Sequence, residues 1–254
     1  MDKTNQERQE DVMGKQYWRG GNMLYPVPAV MVSCGRPEER PNIITVAWAG
    51  TVCSSPAMVS ISVRKERYSY DILKETGEFV INLITRDLTY ATDFCGVRSG
   101  RDVDKFAQMH LTPLPSQHIS APGIAESPVN LECKVTQVIP LGSHDMFLAE
   151  VLGVTVDEKY MDENGKFHLN DAGLVAYSHG EYFELGEKLG KFGYSVAKKQ
   201  AAKTESVTKS AKPSGAGKKA ASAENRTASK TGAGNRRKSV SKTGSADKQK
   251  SRRK

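Results

Sequence analysis

The sequence predicts a mainly β protein, an antiparallel barrel with a few short helices. Short apolar segments with strand-like alternation recur between 26 and 156, separated by turns rich in Pro, Gly and Asp. Helical spacing is confined to brief stretches, and no long helix alternates with strands as a parallel sheet requires. Many short strands in such an order are best accommodated by a closed antiparallel sheet.

The elements follow in order. Pro26 to Cys34 reads as a short apolar strand, and Gly35 to Asn42, with two prolines and several charges, as a turn. Ile43 to Trp48 is a second strand, and the small polar residues of 50–56 read as a loop. Ala57 to Val63 is a third strand, with Met58, Ser60 and Ser62 on one face and Val59, Ile61 and Val63 on the other. Tyr68 onward has helical spacing and stops at Gly77, a residue suited to the left-handed conformation that ends helices. Glu78 to Leu83 is a strand, Asp87 to Cys95 a helix, 96–102 a glycine-bounded basic loop, and Asp104 to Met109 one more helical turn. After a Pro-rich stretch at 113–128, long strands run from Asn130 to Ile139 and from Met146 to Val156, joined by a turn at 141–145. A tight turn follows at 162–166.

Charge divides the chain. Of its 37 basic and 29 acidic residues, 18 basic but only 3 acidic ones fall in 197–254, which contains no aromatic residue. The net charge of +8 therefore combines an acidic folded part with a polycationic segment. The expected organisation is a charged amino-terminal segment at 1–21, one domain at 22–196, and a disordered basic tail at 197–254. Such a tail can condense on nucleic acid by counterion release. The four cysteines form no CxxC pair, which speaks against a zinc or thioredoxin-type site; Cys53 and Cys95 read as small hydrophobes. No segment has the form of a signal peptide or a membrane span, so a cytoplasmic protein with reduced thiols is expected.

The run 42–83 concentrates chemistry. It has hydroxyls and cations (Ser62, Arg64, Lys65, Arg67, Tyr68, Ser69) where a strand hands over to a helix, a natural place for a phosphate. At its other end, Asn42, Thr45, Val46, Ala47 and Trp48, with Ser54 and Ser55 after the loop, could meet a flat ring through main-chain groups and an aromatic face.

These stretches resemble the flavin reductase-like FMN-binding proteins, especially their flavoredoxin and archaeal ferric reductase branch. The likeness runs through NIITVAW (42–48), the SSP turn (54–56), SVRKERYSYDILKETGEFVINL (62–83), FCGVRSGRDVDKF (94–106), SPVNLECKV (127–135) and GEYFELGEKLGKFGYSV (180–196). The resemblance implies a six-stranded split β-barrel of Greek-key type, usually a homodimer, holding FMN non-covalently. It implies an oxidoreductase that moves electrons from NAD(P)H or a protein donor through FMN to an acceptor such as free flavin, a ferric complex or another protein. It places Lys105 and His144 at the ring pocket; the basic loop at 96–104 offers Arg101 as a further cofactor contact, and Tyr177 is a further lining candidate. No catalytic dyad and no metal ligand is expected, because the flavin carries the hydride chemistry. An alternative is a flavin-binding sensor or accessory module held on nucleic acid by the basic tail.

Overall fold

The computed structural model describes residues 14–197. The expectations for the first thirteen residues and for the basic tail beyond 197, including its disorder and its contact with nucleic acid, lie outside that range. Residues up to Phe192 form one compact unit; of the second, which begins at Gly193, only a short 3-10 turn at Tyr194–Val196 falls within the described residues.

The strands are β1 (Val27–Pro28), β2 (Val30–Cys34), β3 (Asn42–Val46), β4 (Ala49–Ser54), β5 (Ala57–Arg64), β6 (Glu78–Leu83), β7 (Pro113–Leu114), β8 (Gly123–Ile124), β9 (Val129–Pro140), β10 (His144–Val156), β11 (Val175–Ser178) and β12 (Glu181–Glu184). The helices are α1 (Tyr68–Thr76), α2 (Thr89–Val97) and α3 (Lys105–Gln108). The main sheet is antiparallel throughout, in the order β3-β2-β6-β9-β10-β5-β4. Its first six strands make the split barrel. The Ser62 amide donates to the Trp48 carbonyl at 2.9 Å, drawing β5 toward the end of β3 without a continuous ladder between them. β1, β11 and β12 form a separate small sheet.

The chain differs from the sequence expectation at 50–56. These small polar residues belong largely to a strand, β4, paired with β5 from Ala49↔Ile61 to Ser54↔Ala57. Three of its six residues are partly buried and five pair along a bulged ladder, so main-chain pairing compensates for their weak strand preference. His144 also differs: it opens β10 and is not part of the turn.

Strand alternation sorts apolar side chains into two cores. Val59, Ile61 and Val63 of β5 enter the barrel interior with Phe79 and Phe147, and α1 plugs that interior with Ile72 and Leu73. Met31, Ile43, Phe106 and Ile124 fill a second core between the barrel wall and α2–α3. β2 and β3 are buried on both faces, which makes them the wall between the two cores. β3 is also the sheet edge that borders the split.

Candidate functional site

A groove follows the free edge of β3. At one end is a cavity of about 320 Å³ between β3, the start of α1 and the loop after α2. It continues into a trough of about 140 Å³ in the split itself, sharing Ile44 and Arg67 with the first cavity. Thr45, Ala47 and Trp48 pass from the trough into an aromatic basin of about 210 Å³.

The larger cavity is cationic. Arg67, Arg98, Arg101 and Lys105 line it, and Glu66 is its one acidic lining residue. The amino terminus of α1 opens there. Its cap residue, Arg67, makes no side-chain cap bond, and the Tyr70 N–H already donates to the Arg67 carbonyl at 2.9 Å, so the N–H groups of Tyr68 and Ser69 are those left for an anion. Asn42 donates to the Ser69 hydroxyl at 2.7 Å, and both residues are buried. Arg67 reaches the Gly96 carbonyl at 3.4 Å, and Arg101 lies 5.3 Å from the Tyr68 ring centroid while donating to the Glu66 carbonyl.

Gly100 explains why the basic loop is bounded by glycine. A Cβ there would lie 2.0 Å from Asn42 Oδ1 and 2.7 Å from the Tyr68 ring, so only a bare backbone can press onto them. Arg40 holds the Gly100 carbonyl at 2.9 Å from the other side.

Lys105 is buried in the wall of the cationic cavity. Its Nζ donates to the Ile43 carbonyl at 2.6 Å and the Cys95 carbonyl at 2.7 Å, tying the edge strand to the carboxyl end of α2. Burial pushes its pKa down to about 8, against a smaller pull from the neighbouring thiols. The Ile43 carbonyl thus faces away from β2, and strand alternation turns the main-chain groups of Thr45 toward the same open edge. The Thr45 hydroxyl is committed to the Thr92 carbonyl, and Gly96 packs against its Cβ, so α2 braces the strand.

The trough brings Thr45, Val46, Ala47 and Trp48 opposite Ser62, Arg64 and His144. His144 is the cross-strand partner of Arg64. Desolvation, reinforced by Arg64, holds its pKa below the usual imidazole value. Its Nδ1 is engaged by Ser143 at 2.9 Å, and Nε2 has no protein partner among the described residues. Beyond Trp48, Tyr25, Tyr177 and Tyr182 form the basin wall, with centroid separations of 5.5–6.2 Å along the chain Trp48–Tyr25–Tyr177–Tyr182.

The structure regroups the expected residues. Asn42, Tyr68, Ser69, Arg101 and Lys105 come together at the cationic cavity. Ser62 and Arg64, expected beside the phosphate, instead line the trough, and Arg64 pairs with Glu66 at 3.5 Å. Ser54 and Ser55 are exposed at the β4–β5 hairpin tip and line none of the three cavities. They are candidates for the ring edge by sequence; Ser54 ends the paired strand β4 and Ser55 lies in the hairpin turn. Cys95 lines the cavity, but burial raises its pKa to about 11, so it stays a protonated thiol at neutral pH.

Asp145 is a residue whose part the sequence did not disclose. Buried beside His144, it accepts the Tyr70 hydroxyl at 2.6 Å and holds Lys65 Nζ at 3.3 Å, an ion-pair distance without hydrogen-bond alignment. It thereby fastens the β5–α1 turn and draws Lys65 away from the cavity. Only a buried carboxylate next to a turn histidine could have hinted at this.

Comparison with known proteins agrees with this fold. Residues 22–186 match the family described as flavin reductase like domain. The structure of flavoredoxin from Desulfovibrio vulgaris (Miyazaki F) superimposes with a TM-score of 0.67 at 34% identity, over 72% of this chain and 100% of that one. Flavoredoxin from Methanosarcina acetivorans shares the fold at a TM-score of 0.64 and 24% identity, over 72% of this chain and 100% of that one. An uncharacterized protein of Archaeoglobus fulgidus is 31% identical over 160 residues, 63% of this chain and 88% of the relative. With an edge strand opening on a split barrel and a family match spanning nearly the whole described domain, the chain belongs to the flavin reductase-like domain family.

Proposed function

We propose that this flavin-related oxidoreductase binds FMN non-covalently along the β3 groove and passes electrons from NAD(P)H or a protein donor through it to an acceptor. The observation that carries the reading is the continuity of the groove: an anion-binding helix start with Arg67 at one end leads to an open main-chain edge and Trp48 at the other. That sequence of surfaces matches a phosphate, a polyol and a flat heteroaromatic ring in turn.

In this reading Arg67, Ser69 and the first-turn N–H groups of α1 hold the phosphate. The edge groups of Thr45 to Trp48 meet the ring's polar rim. His144 Nε2 offers or takes a proton at the trough lip, and Lys105 sets a positive potential beneath it. When bound, the flavin supplies the hydride and electron chemistry. No side chain here needs to act as nucleophile.

The assembly is a homodimer. Trp18, Leu24, Leu189 and Phe192 are at least 71% exposed and are the large apolar side chains that a second subunit would cover. Cytoplasmic residence fits the four free cysteines.

The deciding experiment is spectroscopic. Purified protein should be yellow and release FMN on heating. Anaerobic addition of NADH or NADPH should bleach the flavin band, whereas bleaching only by a reduced electron-carrier protein would identify a protein donor. A colourless protein that takes up no added FMN would overturn the proposal.

A further inference from the structure

A buried carboxylate stands at one end of the barrel among apolar side chains. Strand alternation puts Asp145, Phe147 and Ala149 on the inner face of β10, and Asp145 lies across from Val63 of β5. Phe147, Ala149 and Val63 belong to the interior core. A charge in such a place is costly to bury, and an apolar residue of similar size would serve folding as well. What the carboxylate adds is direction.

Its side-chain partners come from one segment. The Tyr70 hydroxyl donates to Oδ2 at 2.6 Å, and Lys65 Nζ stands 3.3 Å from Oδ1, which accepts no hydrogen bond among the described residues. The Tyr70 ring is set edge-on against Phe147, with centroids 5.7 Å apart, so packing holds the hydroxyl in place. Tyr70 also closes the first turn of α1 by donating its N–H to the Arg67 carbonyl at 2.9 Å. One side chain thus links the barrel end to the turn that carries Arg67 and the N–H groups of Tyr68 and Ser69.

The cations of that turn are sorted accordingly. Arg64 pairs with Glu66 and Lys65 with Asp145, and neither cation lines the cationic cavity, whereas Arg67 does.

We propose that Asp145 is a positioning residue for the anion-binding end of the groove. Through Tyr70 and Lys65 it holds the β5–α1 turn, so that Arg67 and the N–H groups of Tyr68 and Ser69 converge on one anionic group. Asp145 itself lines neither the cavity nor the trough. That the anion is the phosphate of FMN rests on the flavin reading above; that its site is held from β10 does not.

The sign of one substitution separates positioning from plain electrostatics. Asp145→Asn removes a negative charge and frees Lys65, and both changes by themselves would tighten phosphate binding. Positioning requires the opposite. Tyr70→Phe cuts the link with no change of charge. The full chain, both variants and their combination are titrated with FMN, riboflavin and inorganic phosphate, and melting temperatures are recorded with and without phosphate. Each single variant should lose FMN affinity by about tenfold, a fraction of one charge-assisted contact, while riboflavin affinity holds. The combination should fall no further than the weaker single variant, because both changes act through one link. The rise in melting temperature produced by phosphate should shrink in step.

Tighter FMN binding by Asp145→Asn overturns the proposal, as does an unchanged ratio of FMN to riboflavin affinity in Tyr70→Phe. Equal losses for the two flavins also overturn it, by reducing Asp145 to a general support of the fold. A wild-type chain that takes no flavin sinks the flavin reading alone. Phosphate then decides: a smaller thermal shift in Tyr70→Phe supports the positioning role, and equal shifts, or none in the wild type, overturn it.

Discussion

At the cationic end of the groove, the ligand-facing groups are long side chains on exposed turns: Arg67 before α1, Arg98 and Arg101 after α2. At the ring end they are main-chain edges and aromatic faces, Thr45 to Trp48 and the tyrosine basin, held by the barrel and by α2. The first end works through charge and is open to screening by salt. The second works through backbone direction and is as reliable as the two cores on either side of β3. On the proposed flavin reading, surface substitutions would adjust affinity for the anionic part of the ligand, while the groups assigned to the ring could not be moved without disturbing the fold.

Lys105 ties β3 to α2 behind the cationic end, and its removal should give the largest effect. Its folded pKa of about 8 lies below the ordinary 10.5. Between these values the unfolded chain holds a proton that the folded chain has lost, so stability rises with pH across the window, and the burial cost is fully present below it. The rise amounts to as much as about 3 kcal/mol. Lys105→Met should abolish it. The buried thiols, which ionise late and act in the opposite direction above pH 9, are common to both proteins. Denaturant midpoints measured from pH 7 to 10.5 check this; parallel curves for the two proteins would mean that the lysine keeps its ordinary pKa in the folded state and pays no burial cost.

Arg67→Ala should weaken FMN by about tenfold to a hundredfold, from a charge-assisted contact of about 1.5–3 kcal/mol, and leave riboflavin nearly unaffected. Fluorescence titration of both flavins checks it, and an equal loss for riboflavin would erase the proposed division between the ends. Gly100→Ala forces the loop off Asn42 and should cost about 1–2 kcal/mol in stability, with a matching loss of FMN retention, measured by thermal melts and flavin release. Trp48→Leu should weaken FMN and riboflavin alike, by about 1 kcal/mol of lost aromatic contact. Ser54→Ala with Ser55→Ala should leave flavin affinity within about 0.5 kcal/mol, since both sit at a remote hairpin tip. A clear loss in the double serine variant would mean that the hairpin tip folds onto the ring.

Much of the architecture was legible because burial leaves periodic traces. The alternation of β5 appears unchanged in its burial, and Gly77 ends α1 in the left-handed conformation. β4 was not legible: Gly50 to Ser54 have turn-like chemistry and become a strand only because β5 offers a partner. The buried polar links were equally hidden. Asn82 donates to the Met31 carbonyl while its Oδ1 accepts from Ile124 and Asn130, pinning the 113–128 excursion to the barrel. A lone strand asparagine carries no sign of such partners. At the site, Arg64 and Arg67 are equivalent in composition, and strand direction alone separates them: Arg64 ends β5 beside His144, Arg67 caps α1 beside the cavity.

By itself, the sequence determined the strand-rich class, the helix after β5, the concentration of hydroxyls and cations in 62–69, and the charge contrast between the domain and the segment beyond it, since these follow from local spacing and composition. Tertiary structure alone decided that β3 would be a free edge, that Lys105 would be committed to two carbonyls, and that Arg98 and Arg101 would line the cavity beside α1. The physical reason is that periodicity reports which side of an element is buried, whereas a site depends on which distant elements meet, and that is settled only when the sheet closes.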